Sequence, residues 1–300
     1  MLYLSPVIFI LYFANSFSAS GGWPWRTGNG IEIANNKKLI NYYRTHFVGK
    51  GHDWNGWVNN TSGDTNPDFV LLGDSHAQMY LHGFNEEIIK NKGKSLYISS
   101  VSCLSLPGLY RLTTGHNFSK KCPETLNRTV QQLRGKKNSV LILAYYWPHQ
   151  LKQSALTGKP KRLTFPGKEK GYEFTVGKIK ELQGLIENRK IIVIGQAPGA
   201  MKIPFDCLQK PGADEKKCNL ALSYNRFEAL GYHFNQYFLH YFSKDSQVLF
   251  LNPYDVLCDA QVCPVIENGV PLYSDNHHLS KLGFDKEVDY FIDEINEFFK

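Results

Sequence analysis

Short apolar runs alternate with amphipathic stretches along most of this chain. Five runs stand out: Phe69–Leu72, Leu96–Val101, Val140–Tyr145, Ile191–Ile194 and Val248–Leu251. Each is rich in β-branched or aromatic residues and shows no polar alternation, the pattern of strands buried on both faces of a parallel sheet. Between the runs, apolar residues recur at helical spacing. Ala77, Tyr80, Leu81, Phe84 and Ile88 mark one stripe, and Phe174, Ile179, Leu182 and Ile186 a second. Tyr224 to Phe242 gives a third, and Phe284, Val288, Ile292, Ile295 and Phe299 the last. Strands alternating with helices predict an α/β layered sheet with right-handed crossovers. The basic stretch from Gln150 to Gly171, which holds two prolines, reads as a surface loop. No internal repeat is visible.

The N-terminal part is different. Residues 20 to 68 are polar, rich in Gly and Asn, and read as an irregular lead-in with one short helix near Lys37 to Phe47. Before them, Leu2 to Ala19 carry no charge. That length lies at the border between a signal-peptide core and a membrane span. Three readings stay open: a cleaved secretory signal with small residues at Ser16 to Ser20, a membrane anchor, and the last membrane helix of a longer protein. Trp23, Trp25 and Arg26 follow where an interfacial belt would lie. All three readings carry the rest of the chain onto or across a membrane.

Composition narrows the class. The chain has 300 residues, 42% of them hydrophobic and 20% charged, which excludes a disordered or collagen-like polymer. The net charge of +7 is moderate, and no compact Lys/Arg run points to nucleic acid. It fits a surface that tolerates anionic glycans or lipid headgroups, or simply a soluble basic protein. The six cysteines are Cys103, Cys122, Cys207, Cys218, Cys258 and Cys263. An even count in an exported chain reads as disulfides, and pairing between sequence neighbours is the simplest of the possible connectivities. No Cys-x-x-Cys and no His at ligand spacing to a Cys supports a zinc site.

Two constellations carry chemistry. Phe69-Val-Leu-Leu-Gly73-Asp74-Ser75-His76 puts a serine at the carboxyl end of a strand, where a helix begins. Open α/β sheets bind ligands at that edge, and the free N–H groups of a helix start hold an anion or oxyanion. The same Asp-Ser pair also reads as a plain helix cap. Near the other end stands Tyr273-Ser-Asp275-Asn-His277-His278-Leu-Ser280. An Asp three residues before a His orients an imidazole that can accept a serine proton. His277 reads as a surface histidine. A metal pair from His277 and His278 is not expected, because adjacent side chains diverge in extended backbone. Ile191 to Gly199 lacks the Lys and Ser/Thr of a phosphate loop and reads as a strand and a turn. Sequons at Asn59, Asn60, Asn117 and Asn127 matter only in a eukaryotic secretory host.

Gly73-Asp74-Ser75 after a strand, with Asp275-x-x-His278 before the last helix, resembles the SGNH (GDSL-type) esterase and acyltransferase superfamily. The closer resemblance is to SGNH domains appended to bacterial membrane acyltransferases of family three. Leu71 to His76, Cys103-Leu-Ser-Leu-Pro107, Trp147 after the third strand, and Cys258 and Cys263 followed by Tyr273 to Ser280 carry it. The resemblance implies a flavodoxin-like three-layer sandwich around a mostly parallel five-stranded sheet. It implies a division into an apolar segment 1–19, an extension 20–65 and a catalytic domain 66–300. It implies Ser75 as nucleophile, His278 as general base and Asp275 as its partner, without cofactor or metal. Asp74, Gly108 and Trp147 are the candidates for oxyanion or substrate contacts. The superfamily's oxyanion Asn is missing, since Tyr146-Trp147-Pro148 stands in its place. Trp147 could stack on a sugar or fill the core. The implied function is O-acyl transfer, with acetyl the expected group, to a cell-surface glycan such as a lipopolysaccharide or exopolysaccharide sugar. It would act at the periplasmic or other extracytoplasmic face, tethered to the inner membrane, with a membrane acyl-donor protein as possible partner and no nucleic acid. An exported carbohydrate or lipid esterase and a non-catalytic glycan-binding module are the alternatives.

Overall fold

The structure, a computed structural model, describes residues 4–19, 57–60, 66–84, 86–88, 92–113, 117–187, 189–210 and 212–300. The helix expected near Lys37 to Phe47 lies outside the described residues. In chain order the strands are β1 (Trp57–Asn60), β2 (Phe69–Gly73), β3 (Leu96–Ser100), β4 (Leu109–Arg111), β5 (Val140–Ala144), β6 (Ser154–Leu156), β7 (Ile191–Ile194), β8 (Tyr224–Asn225) and β9 (Val248–Leu251). The five apolar runs become β3-β2-β5-β7-β9, all parallel, and β1 adds an antiparallel edge beside β3. The sheet is therefore the expected α/β one, with five parallel strands at its centre. Its sixth strand comes from the stretch read as a lead-in.

The absence of polar alternation has a direct cause. Leu71, Ile98, Ile142, Ile192 and Leu251 face one side, packed on Ala77, Phe84 and the last helix, Lys281–Phe298, through Phe284, Val288 and Phe291. Val70, Leu72, Leu141, Leu143 and Val193 face the other side. There they meet the Phe118–Arg134, Lys168–Leu185 and Tyr232–Phe242 helices. Both faces are covered, so the strands are apolar almost throughout, with the buried Ser99 and Ser100 at the end of β3 the exceptions. Each large side chain sealed this way stabilises by roughly 1.5–3 kcal/mol. The result is a three-layer sandwich.

Some elements differ from the sequence expectation. The stripe Ala77 to Ile88 is broken into two short helices, Ser75–Met79 and Leu81–Phe84. The stretch Tyr224 to Phe242 is helical only from Tyr232. Asn225 turns the chain by accepting the Phe227 N–H at 3.0 Å, and Gly231 enters the helix at φ +79°. Gln150 to Gly171 is not one loop. It contains the end of a helix, Trp147–Gln153, and then β6, which pairs with β4 because Leu156 and Ala155 have a partner edge in Leu109 and Tyr110. The Phe118–Arg134 helix was not expected. Pro123 and many polar residues mask its stripe of Phe118, Cys122, Thr125, Thr129 and Leu133. The N-terminal helix spans Leu4–Ala19 with Ile8 to Tyr12 exposed. Its 16 residues rise about 24 Å against a hydrocarbon core of about 30 Å. No helix among the described residues is long and apolar enough to cross a membrane.

Disulfides join Cys103 to Cys122, Cys207 to Cys218 and Cys258 to Cys263, as neighbour pairing predicts. The first ties the turn after β3 to the Phe118–Arg134 helix. The second links the helices Pro204–Leu208 and Glu215–Leu222. Each is worth roughly 2–4 kcal/mol, less for the shortest loop, and such bonds persist in oxidising compartments.

One buried acid lies between layers. Glu287 of the last helix is 0% exposed and accepts a hydrogen bond from the Tyr80 hydroxyl, with Tyr273 also facing it. Burial raises its pKa from 4.5 to about 8, and the Tyr80 bond opposes this only in part. Below the ordinary value, folded and unfolded chains both hold this proton. Between there and about pH 8 only the unfolded chain releases it, so stability falls as pH rises and levels off above that range. The full effect is on the order of 5 kcal/mol. The thermal midpoint of the native protein should therefore drop between about pH 5 and pH 8. Glu287→Gln should flatten that slope and be the more stable form at the alkaline end. Equal slopes in differential scanning calorimetry would show that Glu287 does not titrate as a buried acid.

Candidate active site

β2 stops at Gly73 because the chain must pass tightly against β5. A Cβ at Gly73 would lie 1.8 Å from the Ala144 carbonyl oxygen and 2.6 Å from Ala77 Cβ. Asp74 follows as the N-cap of the Ser75–Met79 helix, accepting the His76 N–H at 2.9 Å. Its carboxylate is 1% exposed and also accepts the Tyr146 N–H at 3.1 Å and the Gln150 side-chain amide at 2.6 Å. Burial raises its pKa, and these three donors work against that rise. Asp74 is thus enclosed by its own chain and does not face outward as a substrate contact.

The second segment is a tight loop before the last helix. One Asp275 oxygen, Oδ1, accepts the N–H groups of His277 at 2.8 Å and His278 at 2.7 Å. The Ser274 N–H donates to the His278 carbonyl at 2.8 Å and closes the loop. Gly199, at φ +76°, lets a neighbouring turn approach: a Cβ there would meet Leu230 at 2.6 Å and the Asn276 carbonyl at 2.8 Å. Ser280 then caps the last helix by accepting the Gly283 N–H at 3.2 Å.

These two segments, 203 positions apart, meet at the carboxyl edge of the sheet. His278 Nε2 lies 2.7 Å from Ser75 Oγ, and His278 Nδ1 lies 2.7 Å from Asp275 Oδ2. Burial would raise the Asp275 pKa. The hydrogen bond and charge of His278, the charge of His277 and the His277 N–H outweigh it, so the carboxyl is held far below the usual range. An ionised carboxylate only accepts, so Nδ1 of His278 carries the proton. Its Nε2 lone pair then points at the Ser75 hydroxyl. This arrangement can take a proton from an attacking serine and hold the imidazolium that forms.

Aromatic rings line the same edge. The His76 and His277 rings are nearly coplanar, 6° apart, with His76 Nε2 3.2 Å from His277 Nδ1. Both stack on Tyr146, at 4.8 Å and 4.6 Å between centroids, and His149 stacks on Tyr146 at 4.9 Å. The rings of His277 and His278 lie 4.1 Å apart, so the expected divergence of these neighbours does not occur. The cause is the single Asp275 oxygen holding both backbone N–H groups, which bends the chain out of extended form.

Two sequence candidates lie elsewhere. Trp147 is 1% exposed; its indole N–H donates to the Ile194 carbonyl at 2.8 Å and its ring stacks on Phe234. It fills the core. Gly108, at φ +71°, turns the chain into β4, and its carbonyl accepts the Thr157 N–H at 2.9 Å. The structure places it beside Thr157 and Lys178, not among the Ser75 contacts. The Tyr146 N–H, at the position of the superfamily's Asn, donates to Asp74. Sequence reasoning did not find Gln150, His76 or Tyr146 as organisers of the site. A Gln six residues after the end of β5 offers no local signal of its bond to Asp74.

Beside this site, Pro148, Leu151 and Lys152 present another face of the Trp147–Gln153 helix than Gln150 does. They line a cavity of about 790 Å³ together with Phe165, Lys168, Tyr172, Phe227, Tyr232 and His233.

Among curated proteins, none matches the sequence. The periplasmic domain of a lipopolysaccharide acetyltransferase from Salmonella ser. Paratyphi A shares the fold, with a TM-score of 0.52 at 16% identity over 77% of this chain and 85% of that one. A putative platelet activating factor from Streptococcus pneumonia aligns at a TM-score of 0.43 and 12% identity, over 96% and 98% of the two chains. The family model described as "SGNH domain (fused to AT3 domains)" matches residues 44–291. With that match over most of its length, the chain belongs to the family of SGNH domains found fused to AT3 domains.

Proposed function

We propose that this protein transfers an acyl group, acetyl in the first instance, to a hydroxyl of a cell-surface glycan through a Ser75 acyl-enzyme. The observation that carries the reading is the unbroken run of two 2.7 Å contacts from Ser75 through His278 to Asp275, in a chain of a family whose activity class is acyl transfer or ester hydrolysis. In the first half-reaction Ser75 Oγ attacks the acyl carbonyl of an ester or thioester donor, and its proton passes to His278 Nε2. Collapse of the tetrahedral intermediate breaks the bond to the donor, whose leaving oxygen or sulfur takes that proton. In the second, a sugar hydroxyl gives its proton to His278 and attacks the acyl-Ser75 carbonyl. The new ester leaves and Ser75 recovers the proton. Water in place of the sugar makes the same machinery an esterase.

The acceptor assignment rests on chemistry beside the site. The cavity at the Trp147–Gln153 helix combines Lys152, Lys168 and His233 with the rings of Phe165, Tyr172 and Phe227. Rings that cover sugar faces and cations that meet acidic groups suit an anionic glycan. The three disulfides fit an extracytoplasmic location. We assign the segment 1–19 to membrane attachment, 20–65 to an extension and 66–300 to the catalytic unit, with a membrane acyl-donor protein as partner.

Purified protein should hydrolyse p-nitrophenyl acetate, and adding an acidic glycan acceptor should divert acyl groups to the sugar. Ser75→Ala should lower turnover by about 10³-fold or more, and Asp275→Asn by roughly 10²–10⁴-fold. Release of nitrophenol that no acceptor alters or diverts would make the protein an esterase. Full activity in Ser75→Ala would end the covalent reading. Asp74 tests the scaffold separately. Asp74→Ala leaves three buried donors without an acceptor, costs about 3 kcal/mol or more, and should lower Tm by roughly 5–10 °C. An unchanged Tm would mean that the Asp74 contacts do not organise the edge.

A further inference from the structure

We propose that His76, His277 and His278 form a site for a soft divalent transition cation, Zn²⁺ by its chemistry, and that filling the site withdraws His278 from Ser75. The three donor nitrogens lie within 4.8 Å of one another. Tetrahedral zinc with Zn–N bonds of about 2.0–2.1 Å sets its ligand nitrogens about 3.3 Å apart. The His76 Nε2 to His277 Nδ1 distance of 3.2 Å already has that spacing. Their coplanar rings are held on the face of Tyr146, so the pair is ordered before any ion arrives. The third ligand is oriented as well, because the Asp275 carboxylate holds His278 Nδ1. A carboxylate behind a ligating histidine fixes its tautomer and strengthens it as a donor.

The donor set selects the ion. Three imidazoles with an open fourth position match zinc and its neighbours, while Mg²⁺ and Ca²⁺ require oxygen ligands. In the resting state one of the two facing nitrogens, His76 Nε2 or His277 Nδ1, carries the proton they share. When that ring shifts the proton to its other nitrogen, both present lone pairs to the ion and no net proton is lost. His278 Nε2 has one lone pair, which serves either the Ser75 hydroxyl or the cation. Occupancy and activation of Ser75 are therefore mutually exclusive. This second half rests on the catalytic reading above; the ion site itself does not.

The test uses metal-stripped full-length protein. Titrating ZnCl₂ into Ser75→Ala protein by calorimetry should show one ion per chain, and MgCl₂ should give no binding. His277→Gln and, separately, His76→Gln should each weaken Zn²⁺ at least about tenfold, since even second-shell losses cost that much. His277 is only half-buried, so its variant keeps the fold, which Tm without metal verifies. In parallel, Zn²⁺ should inhibit p-nitrophenyl acetate hydrolysis by the native enzyme, EDTA should restore it, and His277→Gln should move the inhibition midpoint by the same factor as the binding constant. Absence of stoichiometric Zn²⁺ binding, or binding that neither variant weakens, would overturn the site. Tight binding without inhibition would overturn the withdrawal of His278. Zinc binding in a protein with no esterase or transferase activity under any condition would support the site and count against the proposed function instead.

Discussion

A carboxylate sealed from water is tolerable only when donors surround it. Asp74 meets that condition with groups from three places: the N–H of His76, the N–H of Tyr146 and the side-chain amide of Gln150. The requirement welds the tip of β2, the end of β5 and the first turns of the Trp147–Gln153 helix into one unit. Ser75 is the next residue and inherits its position from that unit. Gly73 is the steric counterpart, since any side chain there would strike the Ala144 carbonyl. The rigid half of the site is thus set by backbone geometry and one buried charge, before any catalytic group is considered.

The other half is a loop, and loops need a reason to hold still. Here Asp275 uses one oxygen to gather two backbone N–H groups and the other to hold the His278 ring. Beneath the loop, Tyr273, Tyr80 and Glu287 bring together the loop, the end of the Ser75 helix and the last helix. An acid kept neutral by burial costs little there as long as it stays protonated. The loop therefore rests on a polar layer whose charge state differs between folded and unfolded chains, while the reacting edge above it keeps an ionised carboxylate. Asp275 and Glu287 take opposite states because the first is wrapped in donors and the second has a single hydroxyl.

Much of this was legible in the sequence, for a physical reason in each case. The five parallel strands were readable because burial on both faces favours runs of apolar residues without polar alternation. The cysteine pairing was readable because the partners are sequence neighbours. Ser75 and His278 could be paired because their flanking residues match a family pattern; spacing alone does not bring 203 positions together. The Phe118–Arg134 helix escaped because Pro123 and a polar face hide its stripe. The start of the Tyr232–Phe242 helix escaped because Gly231 sets the boundary by its left-handed backbone, which periodicity does not register. Trp147 was ambiguous until its indole N–H found the Ile194 carbonyl inside the core. The convergence of His76, His277 and Tyr146 had no sequence signal, since ring stacking across the sheet edge depends on where three loops end.

Tyr146 explains how the departure from the superfamily pattern changes the site. Where the pattern has an Asn aimed at the reacting oxygen, this chain turns a backbone N–H inward to Asp74 and an aromatic ring outward. The ring has a flat face, and imidazoles are the groups that settle on it: His149, His76 and His277. An amide donor is exchanged for a stack of rings whose nitrogens are fixed in place. Any oxyanion stabilisation must then come from donors other than an Asn at this point, starting with the N–H of Ser75 itself at the head of its helix. The same exchange brings two further nitrogens to within reach of the one that activates the serine. A site built in this way is governed less by a single donor than by what competes for the lone pair of His278.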